Sequence, residues 1–279
     1  YEIRFCDWSS DVCSSDLPLL RRVAALAIGF CLAPAALSQA VNPKDYPSLT
    51  DKELGQVRHL IELSNNLPGD WAGYGGNGEW EATEHHLGFH ISFAVMALAQ
   101  AQQQRTPAYR EWYKQGFENY IKKLTHQDLW ERWGSMSSRG GAFGRQHQDV
   151  NAGWLDPVIK DNNMYKGYLA MSAVLYEMLY DDARYQQPGA FTFKHRVYAF
   201  GNGRITFRHT LGDIVKSLHQ EVLDSDYLGA ACEPGLYYWA CNGASNAVFI
   251  LYDHVHGTQY GDVAPKIKET PVLDRKSVV

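Results

Sequence analysis

The chain has 279 residues, 45% hydrophobic and 20% charged, with a formal net charge of −5, a balance that excludes a disordered chain and suits one large globular domain or two small ones. Its 26 Lys and Arg against 31 Asp and Glu form neither a basic stripe nor a long run of one sign. Nucleic acid is therefore excluded as an expected partner.

Arg21 and Arg22 precede an apolar stretch over 23–37 and then Ser38-Gln39-Ala40, the pattern of a secretory signal peptide over 18–40 cut before Val41. At about 15 residues, interrupted by Pro34, the stretch falls short of the ~20 needed for a stable membrane span. The expected location is periplasmic or secreted. Residues 1–17 have no apolar periodicity and stand in front of a signal peptide, so they read, with 272–279, as translated sequence foreign to the protein. The domain proper is then 41–271, and its cysteines are Cys232 and Cys241.

Thr50-Asp51-Lys52-Glu53 is a capping box, followed by Leu54, Val57 and Ile61 at helical spacing as far as residue 64. A second helix over 84–104 carries Leu87, Ile91, Ala94, Leu98 and Ala101. Thr106-Pro107 predicts an N-cap with proline at the first position of a third helix, which buries Tyr109, Tyr113, Phe117, Tyr120 and Leu124. A fourth, over 162–180, puts Met164, Tyr168, Met171, Leu175 and Met178 on one face. The fifth, over 210–223, uses Leu211, Ile214, Leu218 and Val222. A sixth, over 245–256, ends where Gly257 supplies a stop. No comparable run alternates with period two, and Gly201-Asn202-Gly203 reads as a turn; the fold class is all-α.

Antiparallel packing of consecutive helices sends the connections 65–83, 125–161 and 224–244 to one end. Loops of that length in a compact domain are usually functional. The segment 182–205 is also long and is expected at the other end. The first connection holds Asp70, Trp71, Tyr74 and Trp80, the second Trp133, Asp156 and Lys160, and the third Cys232, Glu233, Tyr237, Tyr238 and Cys241. Thiols flanked by a carboxylate and phenols exchange protons with an alcohol, and a mouth lined by aromatic rings suits an apolar substrate carrying a hydroxyl. The same residue types also plug the ends of helical arrays, and two cysteines in an oxidising compartment also suit a disulfide. His85 and His86 are adjacent and diverge on a helix, and there is neither HExxH nor paired CxxC, so no metal is expected.

Two blocks carry a resemblance. Asp156-Pro157-Val158-Ile159-Lys160-Asp161-Asn162-Asn163-Met164-Tyr165-Lys166-Gly167-Tyr168-Leu169, and Cys232-Glu233-Pro234 through Cys241-Asn242 followed by Tyr252-Asp253 and His256-Gly257-Thr258, resemble the linalool dehydratase/isomerase family. The resemblance implies an (α/α)6 toroid with its active site at one end, often completed by a neighbouring subunit in a cyclic homo-oligomer. It implies removal or movement of a tertiary allylic hydroxyl in a monoterpenoid alcohol by acid/base chemistry, without a cofactor. A closed toroid has twelve helices, so the six read here imply only its N-terminal half to two-thirds. Cys232 and Cys241 match the family's active-site cysteines, and Asp70 and Tyr74 correspond to its acidic residue and tyrosine. Tyr168, Tyr165, Glu233, Tyr237, Phe89 and Trp71 are then expected to contact substrate. Where the family pattern has histidine after Met-Tyr-Lys-Gly, this chain has Tyr168, a phenol near ~10 in place of a base near ~6.5. Two other readings suit parts of the pattern. One is a periplasmic binding protein for a terpenoid or sugar with Cys232 and Cys241 bridged, the other a carbohydrate-active toroid using Asp70 and Glu233.

Overall fold

The computed structural model describes residues 41–74, 84–138, 153–196 and 204–269. The expected signal peptide and leader, Trp80, Gly201-Asn202-Gly203 and the tail lie outside the described residues. Among those described, the chain is mainly helical with one small sheet, and no helix is long and apolar enough to cross a membrane.

Capping chemistry fixes two of the principal helices. Helix α1 (Asp51–Ser64) starts at a capping box in which Thr50 accepts from the Glu53 N–H and Glu53 answers at the Thr50 N–H. Helix α2 is Glu84–Gln104 and α3 is Arg110–Leu124. The expected proline start of α3 is not adopted. Thr106 instead pairs its hydroxyl with Tyr113, at 2.6 Å, and Tyr109 becomes an N-cap that is 59% exposed. The remaining aromatic stripe of α3 is buried as expected, with Tyr113, Phe117 and Tyr120 fully so.

Helix α4 (Asn163–Tyr180) is the centre of the domain and packs against α2, α3, α5 (Leu211–Asp224) and α6 (Trp239–His256). Its burial corrects the one-face reading. All of α4 is buried except Met164, Tyr165, Tyr168 and Met178, three of which lie on the face read as core. A helix apolar all round has no face that periodicity can single out. Helix α5 starts at a second capping box, Thr210 with Asp213, and buries Leu211, Ile214, Leu218 and Val222 completely. Helix α6 starts six residues before the expected boundary (239 against 245), which moves Cys241 from a loop into a first helical turn. It ends at Gly257, whose φ of 67° is the left-handed C-cap conformation.

The sequence reading missed a hairpin. Strands β1 (Phe191–Arg196) and β2 (Arg204–His209) pair antiparallel, with Phe193 opposite Phe207. Phe191 and Phe193 are fully buried, and Phe193 meets both Trp130, at 5.6 Å between centroids, and Tyr165, at 6.3 Å. The segment 182–205 is therefore not confined to the far end. Six extended residues reach ~20 Å, most of the length of α4, so the hairpin delivers its aromatic side chains to the connection between α3 and α4.

Candidate active site

The first N–H groups of a helix lack partners inside it, and at α4 the cysteine loop supplies them. Asn162, the N-cap, makes no side-chain cap bond; its N–H donates to the Cys232 carbonyl and that of Asn163 to the Ala231 carbonyl, both at 2.9 Å. Asp161 and Asn162 both take left-handed backbone, φ 52° and 60°, which turns the chain into the helix at that point. The loop is tightened by a turn in which Leu236 N–H donates to Glu233 and Cys232 N–H to Leu236, each at 2.8 Å. Gly235, at φ 77°, supplies the conformation that the turn requires.

Asparagines tie this loop to α6. Asn163 Nδ2 donates to the Ala230 carbonyl at 3.0 Å, and its Oδ1 accepts from Ser245 on α6. Asn242 accepts from the Ala230 N–H at 2.8 Å and donates back to the Ala230 carbonyl at 3.1 Å. A Cβ added at Gly167 would stand 3.0 Å from Ser245 Oγ and 3.2 Å from Asn163 Oδ1, so the close approach of α4 and α6 uses the absence of a side chain there. Beneath the loop, fully buried Lys166 donates to Ser217 at 2.8 Å and pairs with Glu221. Burial pushes the Glu221 carboxyl up to about 7.

The two cysteines are brought together by this frame. Both carry free, buried thiols, and Cys241 is the strongest influence on the ionisation of Cys232. Cys232 also receives the Met164 N–H from the first turn of α4, and Cys241 lies in the first turn of α6. Both thiols thus stand at positive helix ends. The Cys232 thiol is nevertheless held well above the usual thiol range, first by its hydrogen bond to Cys241, then by burial and by the neighbouring Cys241 and Glu233 charges. It keeps its proton. Glu233 is buried, its Oε2 without a partner among the described residues, and burial raises its carboxyl to about 7.

Tyr168 faces the pair from α4. Its phenol is pushed up by burial and then by Cys241 and Cys232, and its ring meets Phe89 at 5.3 Å and Phe93 at 5.8 Å. Tyr168, Phe89, Tyr165 and Met164 line one recess together with Ser92 and Trp133. The Tyr165 hydroxyl is committed to the Leu124 carbonyl, at 2.6 Å. Tyr237 is placed elsewhere, on a cavity of about 520 Å³ that it shares with Asp161 and Glu221.

The expected residues of the first connection form a separate cluster. Trp71 donates to Asp128 at 2.9 Å, and Tyr74 is buried with its hydroxyl given to the Leu63 carbonyl at 2.8 Å. The Lys123 ammonium lies 5.7 Å from both rings and donates to the Leu67 carbonyl at 3.1 Å. Asp70 is exposed and accepts from the Ala72 N–H at 3.1 Å. Burial raises the Tyr74 phenol well above its ordinary value. Of the other expected mouth residues, Asp156 pairs with His209 at 2.9 Å, and Lys160 stacks on Trp154 at 5.0 Å.

Much of what carries the sequence resemblance is scaffold. Asp253 accepts from Thr258 at 2.5 Å, from Tyr260 N–H at 2.8 Å and from Gly261 N–H at 2.7 Å, which locks the chain leaving α6. Asn163, Lys166, Glu221 and Ser245 position the thiols and were not singled out by the sequence reading. Asn163 and Lys166 stood inside the resembling block, the one signal that pointed at them. Comparison with known families gives a match over residues 89–273, most of the chain, to the family described as linalool dehydratase/isomerase.

Proposed function

The chain belongs to the linalool dehydratase/isomerase family, and on that footing we propose that it is a cofactor-independent lyase/isomerase acting on a hydrophobic, monoterpenoid-like allylic alcohol. The observation that carries this reading is the pair of free, buried, adjacent thiols beside a carboxyl whose Oε2 has no partner among the described residues. A neutral thiol gives its proton to the substrate hydroxyl, and the C–O bond breaks with its electron pair leaving on oxygen as water. The allylic cation then loses a proton from the adjacent carbon to the thiolate so formed, giving a diene and restoring the thiol. In the isomerase direction water adds to the other allylic carbon and returns its proton to the same sulfur. Glu233, raised to about 7 by burial, holds or passes a proton near neutrality, and Tyr168 orients the oxygen. Asp70 and Tyr74 are assigned no step in this scheme, because the Tyr74 hydroxyl is engaged with Leu63.

Free thiols are what this chemistry requires, and they do not favour a bridged binding protein. The (α/α)6 toroid, the cyclic homo-oligomer and export to the periplasm belong to the same proposal. The test is incubation of the full-length protein with linalool, without added cofactor, and detection of the diene and the rearranged alcohol by gas chromatography. Conversion is expected. No conversion by the unaltered protein would sink the reading.

A further inference from the structure

Ser92 lies on α2 and Trp133 begins the short helix Trp133–Met136, yet both line the recess that Phe89, Met164 and Tyr168 also line. They are buried, at 0% and 4% exposure, and among the described residues neither Ser92 Oγ nor Trp133 Nε1 has a hydrogen-bond partner. A helical serine commonly returns its hydroxyl to the carbonyl one turn back, as Ser172 does to Tyr168 at 2.9 Å. Ser92 does not. An indole N–H has no role except donor, and a buried polar atom left bare carries its full desolvation penalty. Two such atoms, on residues from different elements that line one small space, point to a shared partner.

The space decides what that partner is. It amounts to about 30 Å³, room for one water-sized group. Leu124, Leu129, Trp130 and Met136 make most of the remaining wall apolar. The other polar side chains on it are engaged, Asn162 Nδ2 with the Pro157 carbonyl and the Tyr165 hydroxyl with that of Leu124. Such a lining is without the charge or the several free partners that an ion or a sugar needs. One oxygen fits, donating to or accepting from Ser92 and accepting from Trp133. Met164, whose N–H meets Cys232, and Tyr168, whose phenol feels both thiols, lead from the recess to the reacting groups.

Building on the acid/base reading above, we propose that Ser92 and Trp133 form a seat for the water produced when the substrate hydroxyl leaves. Water held there adds to the far carbon of the allylic cation, forming the new C–O bond and returning its surplus proton to the thiolate. Water lost from the seat leaves the cation to give up a proton and end as diene. The seat thus sets the partition between rearrangement and elimination.

The experiment runs the full-length protein with linalool in ¹⁸O-water. The unaltered protein should return rearranged alcohol that largely keeps its original oxygen. Ser92→Ala should lower the ratio of rearranged alcohol to diene about fivefold, the effect of one lost neutral hydrogen bond, and raise ¹⁸O incorporation. Complete exchange with solvent in the unaltered protein, or an unchanged partition in Ser92→Ala, overturns the proposal. A second readout needs no turnover: in protein labelled with ¹⁵N-tryptophan, the indole resonance assigned by its loss in Trp133→Phe should show a cross-peak to a bound water that weakens in Ser92→Ala. Its absence overturns the seat. Its presence in a protein that converts nothing would uphold the seat while the proposed function alone fails.

Discussion

Two clusters in this molecule read alike in sequence, each a carboxylate with tyrosine and tryptophan in a long connection, and the structure treats them oppositely. Around Lys123 the polar atoms are spent: Tyr74 on Leu63, Trp71 on Asp128, the ammonium on backbone carbonyls. Around the cysteines they are held in reserve, with Glu233 Oε2, Ser92 Oγ and Trp133 Nε1 unpartnered among the described residues and both thiols free. Satisfied groups stabilise a fold, whereas buried groups left unsatisfied cost stability and remain available for a ligand. Aromatic and acidic composition does not separate a plug from a candidate active site; the count of satisfied hydrogen bonds does.

The sharpest way to break this contrast is at the thiols. Cys232→Ala and Cys241→Ala should each lower turnover of the full-length enzyme by ~10²–10⁴, the range for loss of an acid/base group, while the melting temperature moves by only a few degrees. Near-normal rates in either variant would end the catalytic assignment.

The Lys123 cluster should show the reverse. Lys123→Met removes the donor that serves the Asn66 and Leu67 carbonyls and should cost roughly 2–3 kcal/mol of stability in denaturant titrations. The rate per folded molecule should hold. A stable but inactive variant would move chemistry to this cluster.

A third experiment reads Glu233 through pH. Its folded pKa, near 7, lies above the ordinary carboxyl value of 4.5, so the folded state binds a proton that the unfolded chain has released. The contribution is complete below about pH 4.5 and is lost as pH rises towards 7, with an amplitude of roughly 2 kcal/mol after allowance for screening. Glu233→Gln, which keeps the neutral shape, should flatten that slope. An unchanged slope would show that Glu233 is already ionised in the fold.

Smaller effects remain. Tyr74→Phe should cost about 1 kcal/mol through its lost bond to Leu63 and leave turnover alone. Tyr168→His should add a titration near ~6.5 to the pH profile of the rate. An unchanged profile would reduce Tyr168 to packing against Phe89 and Phe93.

What the sequence made legible was what local chemistry dictates. Thr50 and Thr210 announce α1 and α5, because a capping box is written within four residues, and Gly257 announces the end of α6. The start of α6 was missed because Tyr238 offers no side-chain cap. Thr106 and Pro107 carry a start signal that a tertiary bond to Tyr113 overrides. The hairpin went unseen because its strands are short, and Phe193 is buried by Trp130, far along the chain. Within the site the cysteines were legible as a pair. The Lys166–Glu221 pair that supports them joins residues 55 positions apart, and Ser92 looks like filler in a helix until the missing partner of its hydroxyl is noticed.

Gly167 has a consequence beyond packing. Helices α4 and α6 can lie as close as they do because no Cβ stands at 167 to press on Ser245 and Asn163; α6 carries Cys241, and the start of α4 holds the loop of Cys232. The glycine is a gauge, and the thickness of one methyl group is its tolerance. An alanine there would leave every proton-bearing side chain in the chain and still open the gap between the two sulfurs, which under the proposed function removes the reaction by clearance alone. The alignment of the two thiols is set by a residue that has nothing to react with.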